Sequence, residues 1–167
     1  MATARKVAAK SAGSQDAIGL LISDHREVKA MFDKYEELAT SKADASDRQA
    51  LAETICDMLT VHATIEEEIF YPAARKATQD DDLLDEAQVE HDAAKELIAQ
   101  IKDMDPDDEF YDAKVKVLGE QIDHHVEEEE RELFPEAKKS DMDLPDLGTR
   151  MAARKKQLVA EIGESAA

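Results

Sequence analysis

One cysteine, no tryptophan, five glycines and four prolines stand in a chain of 167 residues, and aromatic side chains make up only 4% of it. The lone Cys56 cannot close an intramolecular disulfide, and nothing beside it marks an activated thiolate, so it reads as a small residue on a helix face. No apolar run approaches the roughly 18 residues that a membrane-spanning helix needs. Basic residues are in short supply as well, 21 against 40 acidic ones, for a net charge of −19. Such a surface repels nucleic acid and anionic membrane and favours cationic partners or metal ions. The first fifteen residues carry Arg5, Lys6 and Lys10 among alanines but no hydrophobic region of a signal peptide, so a disordered tail and a cytoplasmic location are expected. Little Gly and Pro with 37% charged residues describes a helical protein with short connections.

A chain of this length forms one domain with a proper core. Hydrophobic periodicity predicts four long helices. The first runs from about Asp16 to Ala39, with Ile18, Leu21, Ile22, His25, Val28 and Phe32 on one stripe. The second starts near Ser46, where Ser46-Asp-Arg-Gln49 resembles a capping box, and its stripe holds Leu51, Ile55, Met58, Leu59, His62, Ile65, Glu66 and Ile69. The third spans about Asp82 to Asp103, with Leu84, Ala87, His91, Ala94, Ile98 and Ile101 facing inward. The fourth opens at Asp105-Pro106 and turns Val115, Leu118, Ile122, His125 and Glu129 inward. Short connections predict an all-α, up-down-up-down antiparallel four-helix bundle over residues 16–140. Residues 141–167 read as an acidic linker and a short extra helix, about Pro145 to Ile162, packing Leu147, Met151 and Leu158 on the bundle. Its basic cluster Arg150, Arg154, Lys155 and Lys156 reads as a solvated face.

Chemistry enters with a repeat. His62-Ala-Thr-Ile-Glu66 ends in Phe70-Tyr71-Pro72, and sixty-three residues later His125-Val-Glu-Glu-Glu129 ends in Leu133-Phe134-Pro135. Residues four apart on a helix share a face, so each copy offers an imidazole and a carboxylate to one point. A lone inward histidine is ordinarily a core residue with a hydrogen-bond partner. Four of them with two carboxylates, all on apolar stripes, are too costly to bury without a neutralising cation. The predicted ligands are His25, His62, Glu66, His91, His125 and Glu129. Imidazole with carboxylate and no thiolate argues against structural zinc, and two bridging carboxylates within a bundle suit a two-metal centre, most often iron or manganese. The donor count leaves about two of twelve octahedral positions open.

Neighbours sort by angle. At 100° per residue Glu129 lies about 40° from His125 and Glu130 about 140° away, so Glu130, Glu127, Glu128, Glu67, Glu68 and Asp123 read as solvated or outer groups. His124 aligns with Val61 in the repeat and reads as a flank. Phe70, Tyr71, Leu133 and Phe134 read as packing over one end of the bundle, a radical or proton-transfer role for Tyr71 being the lesser reading. Pro72 and Pro135 are expected to kink or end their helices.

These motifs, together with Asp24-His25 and Glu90-His91-Asp92, resemble the hemerythrin family, in particular bacterial hemerythrin-like proteins with the His-His-Glu (HHE) cation-binding domain, over about Ala17 to Lys139. The resemblance implies a four-helix bundle around a non-haem diiron centre bridged by two carboxylates and an oxygen atom (oxo or hydroxo). It also implies binding of, or reaction with, O2, NO or peroxide in oxidative or nitrosative stress defence or sensing. Where oxygen carriers have a second third-helix histidine, this chain has Lys95. That departure implies a more open iron or another donor, such as solvent or a carboxylate, and a weak peroxide- or NO-directed oxidoreductase activity rather than oxygen carriage. The alternative is a metal-stabilised helical interaction module, or an iron-handling or iron-centre repair protein without turnover. A ferritin-like iron oxidase is disfavoured, since no histidine has a glutamate three residues before it. No nucleic acid or membrane partner is expected, and the sequence names no protein partner.

Overall fold

A computed structural model describes residues 15–166, and the expected tail over 1–15 lies outside them except for Gln15. Helix α1 (Ala17–Thr40) starts where the Asp16 carboxylate accepts the Gly19 N–H at 2.8 Å, satisfying a donor that has no intrahelical partner. Helix α2 (Ala45–Ile65) follows Asp44, which makes no side-chain cap, so the expected Ser46 capping box is not the start. Helix α4 (Asp81–Asp103) is capped by Asp80, which accepts the Leu83 N–H. Helix α5 (Tyr111–Glu128) begins five residues after the expected proline start. Asp105 and Asp108 instead accept the N–H groups of Asp107 and Phe110, so two aspartate turns hold Pro106 outside the helix.

The two motif helices do not stop at their prolines. After α2, residues Glu66–Phe70 widen into a π-helical segment, and the chain runs on as α3 (Tyr71–Thr78). After α5, Glu129–Leu133 does the same and continues as α6 (Phe134–Lys139). In each copy the residue before the proline bonds five residues back, Tyr71 N–H to Glu66 and Phe134 N–H to Glu129. A proline ring clashes with the carbonyl four residues back in a regular helix. The wider turn gives it room, so Pro72 and Pro135 sit near the starts of helices that continue.

α1 packs on α2, α2 on α4, α4 on α5, and α5 back on α1, closing a four-helix bundle. The core falls into two apolar clusters. One holds Leu21, Ile65, Phe70, Leu84, Leu133 and Phe134, the other Val28, Ile55, Leu59, Ile98, Tyr111 and Leu118. The four inward histidines lie in sequence where each helix passes from one cluster to the other, so a polar layer divides the core. The last helix, α7 (Leu144–Ser165), is as long as the bundle helices rather than short. It lies on α1 and α2 with Leu147 and Met151 buried and Leu158 partly so.

Candidate metal centre

All six side chains singled out in the sequence meet in this layer, each less than a tenth exposed. They form two half-sites. His25 and His62 face one carboxylate oxygen of each glutamate: His62 Nε2 lies 3.0 Å from Glu66 Oε1, and His25 Nε2 lies 3.3 Å from Glu129 Oε1. His91 and His125 face the other oxygens, at 3.1 Å from Glu66 Oε2 and 3.3 Å from Glu129 Oε2 respectively. Each glutamate therefore spans both half-sites.

The outer nitrogens fix the ring orientations. A carboxylate only accepts, so the Nδ1–H of His62 donates to Asp24 (3.0 Å), that of His91 to Glu67 (3.2 Å) and that of His125 to Glu90 (3.0 Å). His91 and His125 then turn lone pairs towards each other at Nε2, 3.2 Å apart. Two lone pairs at that separation require a cation or a proton between them. Glu66 Oε1, Glu129 Oε1 and His25 Nδ1 are buried without a hydrogen-bond partner among the described residues. Donor atoms about 2.1 Å from a common octahedral ion stand about 3.0 Å apart, close to the edges observed here. The donors fit a pair of divalent or trivalent ions.

Positive charge is drawn into the layer even without metal. Burial alone pushes the His62 imidazole down, but the charge of the adjacent Glu66 and the hydrogen bond to Asp24 outweigh it and bring it up to about 10. His125 is raised likewise to about 11, burial being outweighed by Glu129 and Glu90. The Glu66 and Glu129 carboxyls are held below the usual range against their burial, Glu66 chiefly by His62 and Glu129 chiefly by His125.

Tyr71 belongs to this site and not merely to the end of the bundle. Its hydroxyl donates to Glu129 Oε2 at 2.6 Å and lies 3.2 Å from Glu66 Oε2, 3.2 Å from His91 Nε2 and 3.3 Å from His125 Nε2. A straight α-helix would set it about 140° from Glu66. The π-helical segment brings it onto the same face. In the second copy the equivalent Phe134 stacks parallel on His25, ring centroids 5.9 Å apart. One half-site has a phenol, the other a plain ring.

Asp24, Glu67 and Glu90 carried no helical-stripe signal, and only their places beside histidines or glutamates mark them. Lys95 reaches away from the ring of ligands to Glu67 at 2.6 Å. His124 faces solvent, 3.4 Å from Glu128 and 3.5 Å from Glu90. Glu130 comes to 3.9 Å from His25 Nδ1. The basic face of α7 is not wholly solvated: Arg154 grips Glu68 with two hydrogen bonds, and Lys155 bonds Asp24. A cavity of about 40 Å³ adjoins the four imidazoles, with Val28, Leu59, Ile98, Ile122 and Lys95 in its wall.

The model of the hemerythrin HHE cation-binding domain matches residues 16–137. The chain belongs to the hemerythrin HHE family. It is similar in structure to a hemerythrin HHE cation-binding domain-containing protein from Mycobacterium kansasii, with a TM-score of 0.72 and 26% identity over 87% of this chain and 88% of that one. It is also 31% identical over 123 residues to a DNA nickase from Nostoc sp. (strain PCC 7120), a match covering 72% of this chain and 32% of the relative. This HHE chain thus spans about a third of that relative's length. Among its described residues no helix is long and apolar enough to cross a membrane.

Proposed function

We propose that this HHE domain holds two iron ions, one between His25 and His62 and one between His91 and His125, bridged by Glu66 and Glu129. The iron pair binds or reacts with O2, NO or peroxide in stress defence or sensing. One observation carries the reading: each glutamate gives one oxygen to each histidine pair. When bound, such a pair supplies electrons and open coordination positions to a small ligand. The chain's own groups do the rest. Asp24, Glu67 and Glu90 hold three imidazoles by Nδ1–H so that Nε2 points inward. The cavity of about 40 Å³ beside the imidazoles has room for a molecule of two or three atoms. Lys95 neutralises Glu67 and supplies no donor to the centre. The Tyr71 oxygen is the donor nearest the gap this leaves, beside His91 and His125. Its proton, given to Glu129 at Oε2, is within reach of a ligand bound there.

The nickase activity of the Nostoc relative is not carried over, since a net charge of −19 repels DNA. The test is metal analysis of protein loaded anaerobically with iron, with zinc as competitor, followed by an absorption spectrum after oxidation. Two irons per chain and an oxo-bridge charge-transfer band are expected. Saturation at one ion, or a preference for zinc, overturns the iron pair and favours a metal-stabilised interaction module.

A further inference from the structure

We propose that Lys155, on the helix beyond the family match, is a positioning residue of the metal centre that acts through Asp24 on His62 and raises the reduction potential of the ion His62 holds. The proposal rests on the iron-pair reading above.

The four imidazoles differ at their outer nitrogens. His25 Nδ1 has no hydrogen-bond partner among the described residues, His91 and His125 use half-buried carboxylates, and His62 uses Asp24, whose side chain is only 5% exposed. A carboxylate so deeply buried needs a cation or several donors. Asp24 divides its oxygens: Oδ2 accepts the His62 Nδ1–H, and Oδ1 accepts the Lys155 ammonium. Lys155 lies 131 residues further along the chain, so only the docking of α7 brings it there. That docking is specified. Leu147 and Met151 are buried against α1 and α2, and Gly148 lies so close to Gln15–Ala17 that a Cβ there would meet the Gln15 carbonyl oxygen at 2.5 Å. Arg154 ties the same turn to Glu68.

A carboxylate that accepts the outer N–H of a metal-bound imidazole strengthens its inner nitrogen as a donor and so favours the ferric state. An ammonium on the other carboxylate oxygen withdraws part of that effect, and its own charge opposes ferric iron. Both influences act in one direction. Removing the ammonium therefore lowers the potential. The Glu67–Lys95 pair beside His91 has the same form, but its lysine is half exposed and more strongly screened.

The experiment measures midpoint potentials of the iron-loaded protein by spectroelectrochemistry. Lys155→Met is expected to shift the ferric/ferrous equilibrium about tenfold towards ferric, ~59 mV lower for one electron. Lys155→Arg is expected to restore the wild-type value. Lys155→Gln, which keeps a donor for Asp24 without the charge, reads the same direction should the Met variant not fold. Arg154→Gln removes an equal charge one residue away and is expected to shift the potential less. In an Asp24→Asn background, Lys155→Met is expected to have a smaller further effect, from the ammonium's own charge alone. A wild-type protein with no iron couple overturns the iron-pair reading and this proposal with it. A couple that Lys155→Met and Lys155→Gln leave unmoved, or that moves equally with Asp24 already replaced, overturns this proposal alone.

Discussion

At the scale of single residues, the asymmetry between Tyr71 and Phe134 separates the two half-sites. Tyr71→Phe removes the one phenol oxygen near His91 and His125 and keeps the ring that fills the layer. We expect the ion between His91 and His125 to bind about tenfold more weakly, as is usual for loss of a group supporting a metal site, with the ion between His25 and His62 unaffected. A two-step metal titration checks this, and two unchanged steps would remove Tyr71 from the site. His125→Ala and Glu129→Ala should each cost iron occupancy and the charge-transfer band, whereas His124→Ala should retain both, since His124 is exposed beyond the layer. The six convergent side chains were legible because they fall on apolar stripes at helical spacing. Tyr71 was not, because a fixed 100° per residue places it away from Glu66. Asp24 and Lys155 were not either, since their contact joins residues 131 apart, and no local pattern encodes it.

At the scale of elements, the π-helical segments and the last helix distinguish this chain from four regular rods. The repeat showed that both motif helices share a device at the same place, but not that the device is a widened turn, because i→i+5 bonding leaves no mark on hydrophobic periodicity. The start of α5 was misplaced for a related reason: local aspartate hydrogen bonds compete with helix initiation at Asp105-Pro106. The docking of α7 is tested by its glycines. A Cβ at position 148 would meet backbone atoms of Gln15, Asp16 and Ala17 at 2.5, 2.6 and 2.7 Å, and backbone cannot yield as a side chain can. Gly148→Ala should destabilise the protein by about 1–3 kcal/mol. Gly163→Ala meets nothing within 4 Å in the same helix and should stabilise it by roughly 0.5–1 kcal/mol through backbone entropy. Thermal melts of the two variants should move in opposite directions, and equal melts would mean that α7 does not sit where the structure places it.

At the scale of the whole molecule, the polar layer couples stability, protons and metal. In the metal-free protein His62 and His125 are raised to about 10 and 11 from an ordinary value near 6.5. Groups raised on folding stabilise the folded state fully below their unfolded value, and that contribution is lost as pH rises through the folded values. The metal-free protein should therefore be most stable at mildly acidic pH, roughly 5–6.5, and lose melting temperature steadily from there towards pH 10–11. On the acid side Glu66 and Glu129, lowered on folding, lose their contribution as pH falls through their folded values, the same ion pairs seen from the other partner. On the proposed reading, metal takes the place of the protons at Nε2. Loading at neutral pH should release roughly two protons, and the apparent metal affinity should rise about tenfold per pH unit for each proton released. Calorimetry in buffers of different ionisation enthalpy counts those protons directly. The loaded protein should melt higher than the chelated one and show little alkaline loss below pH 10, because its imidazoles no longer hold the protons that pH removes. A loaded protein whose melting temperature follows the metal-free curve across that range would show that metal binds elsewhere than in the histidine layer.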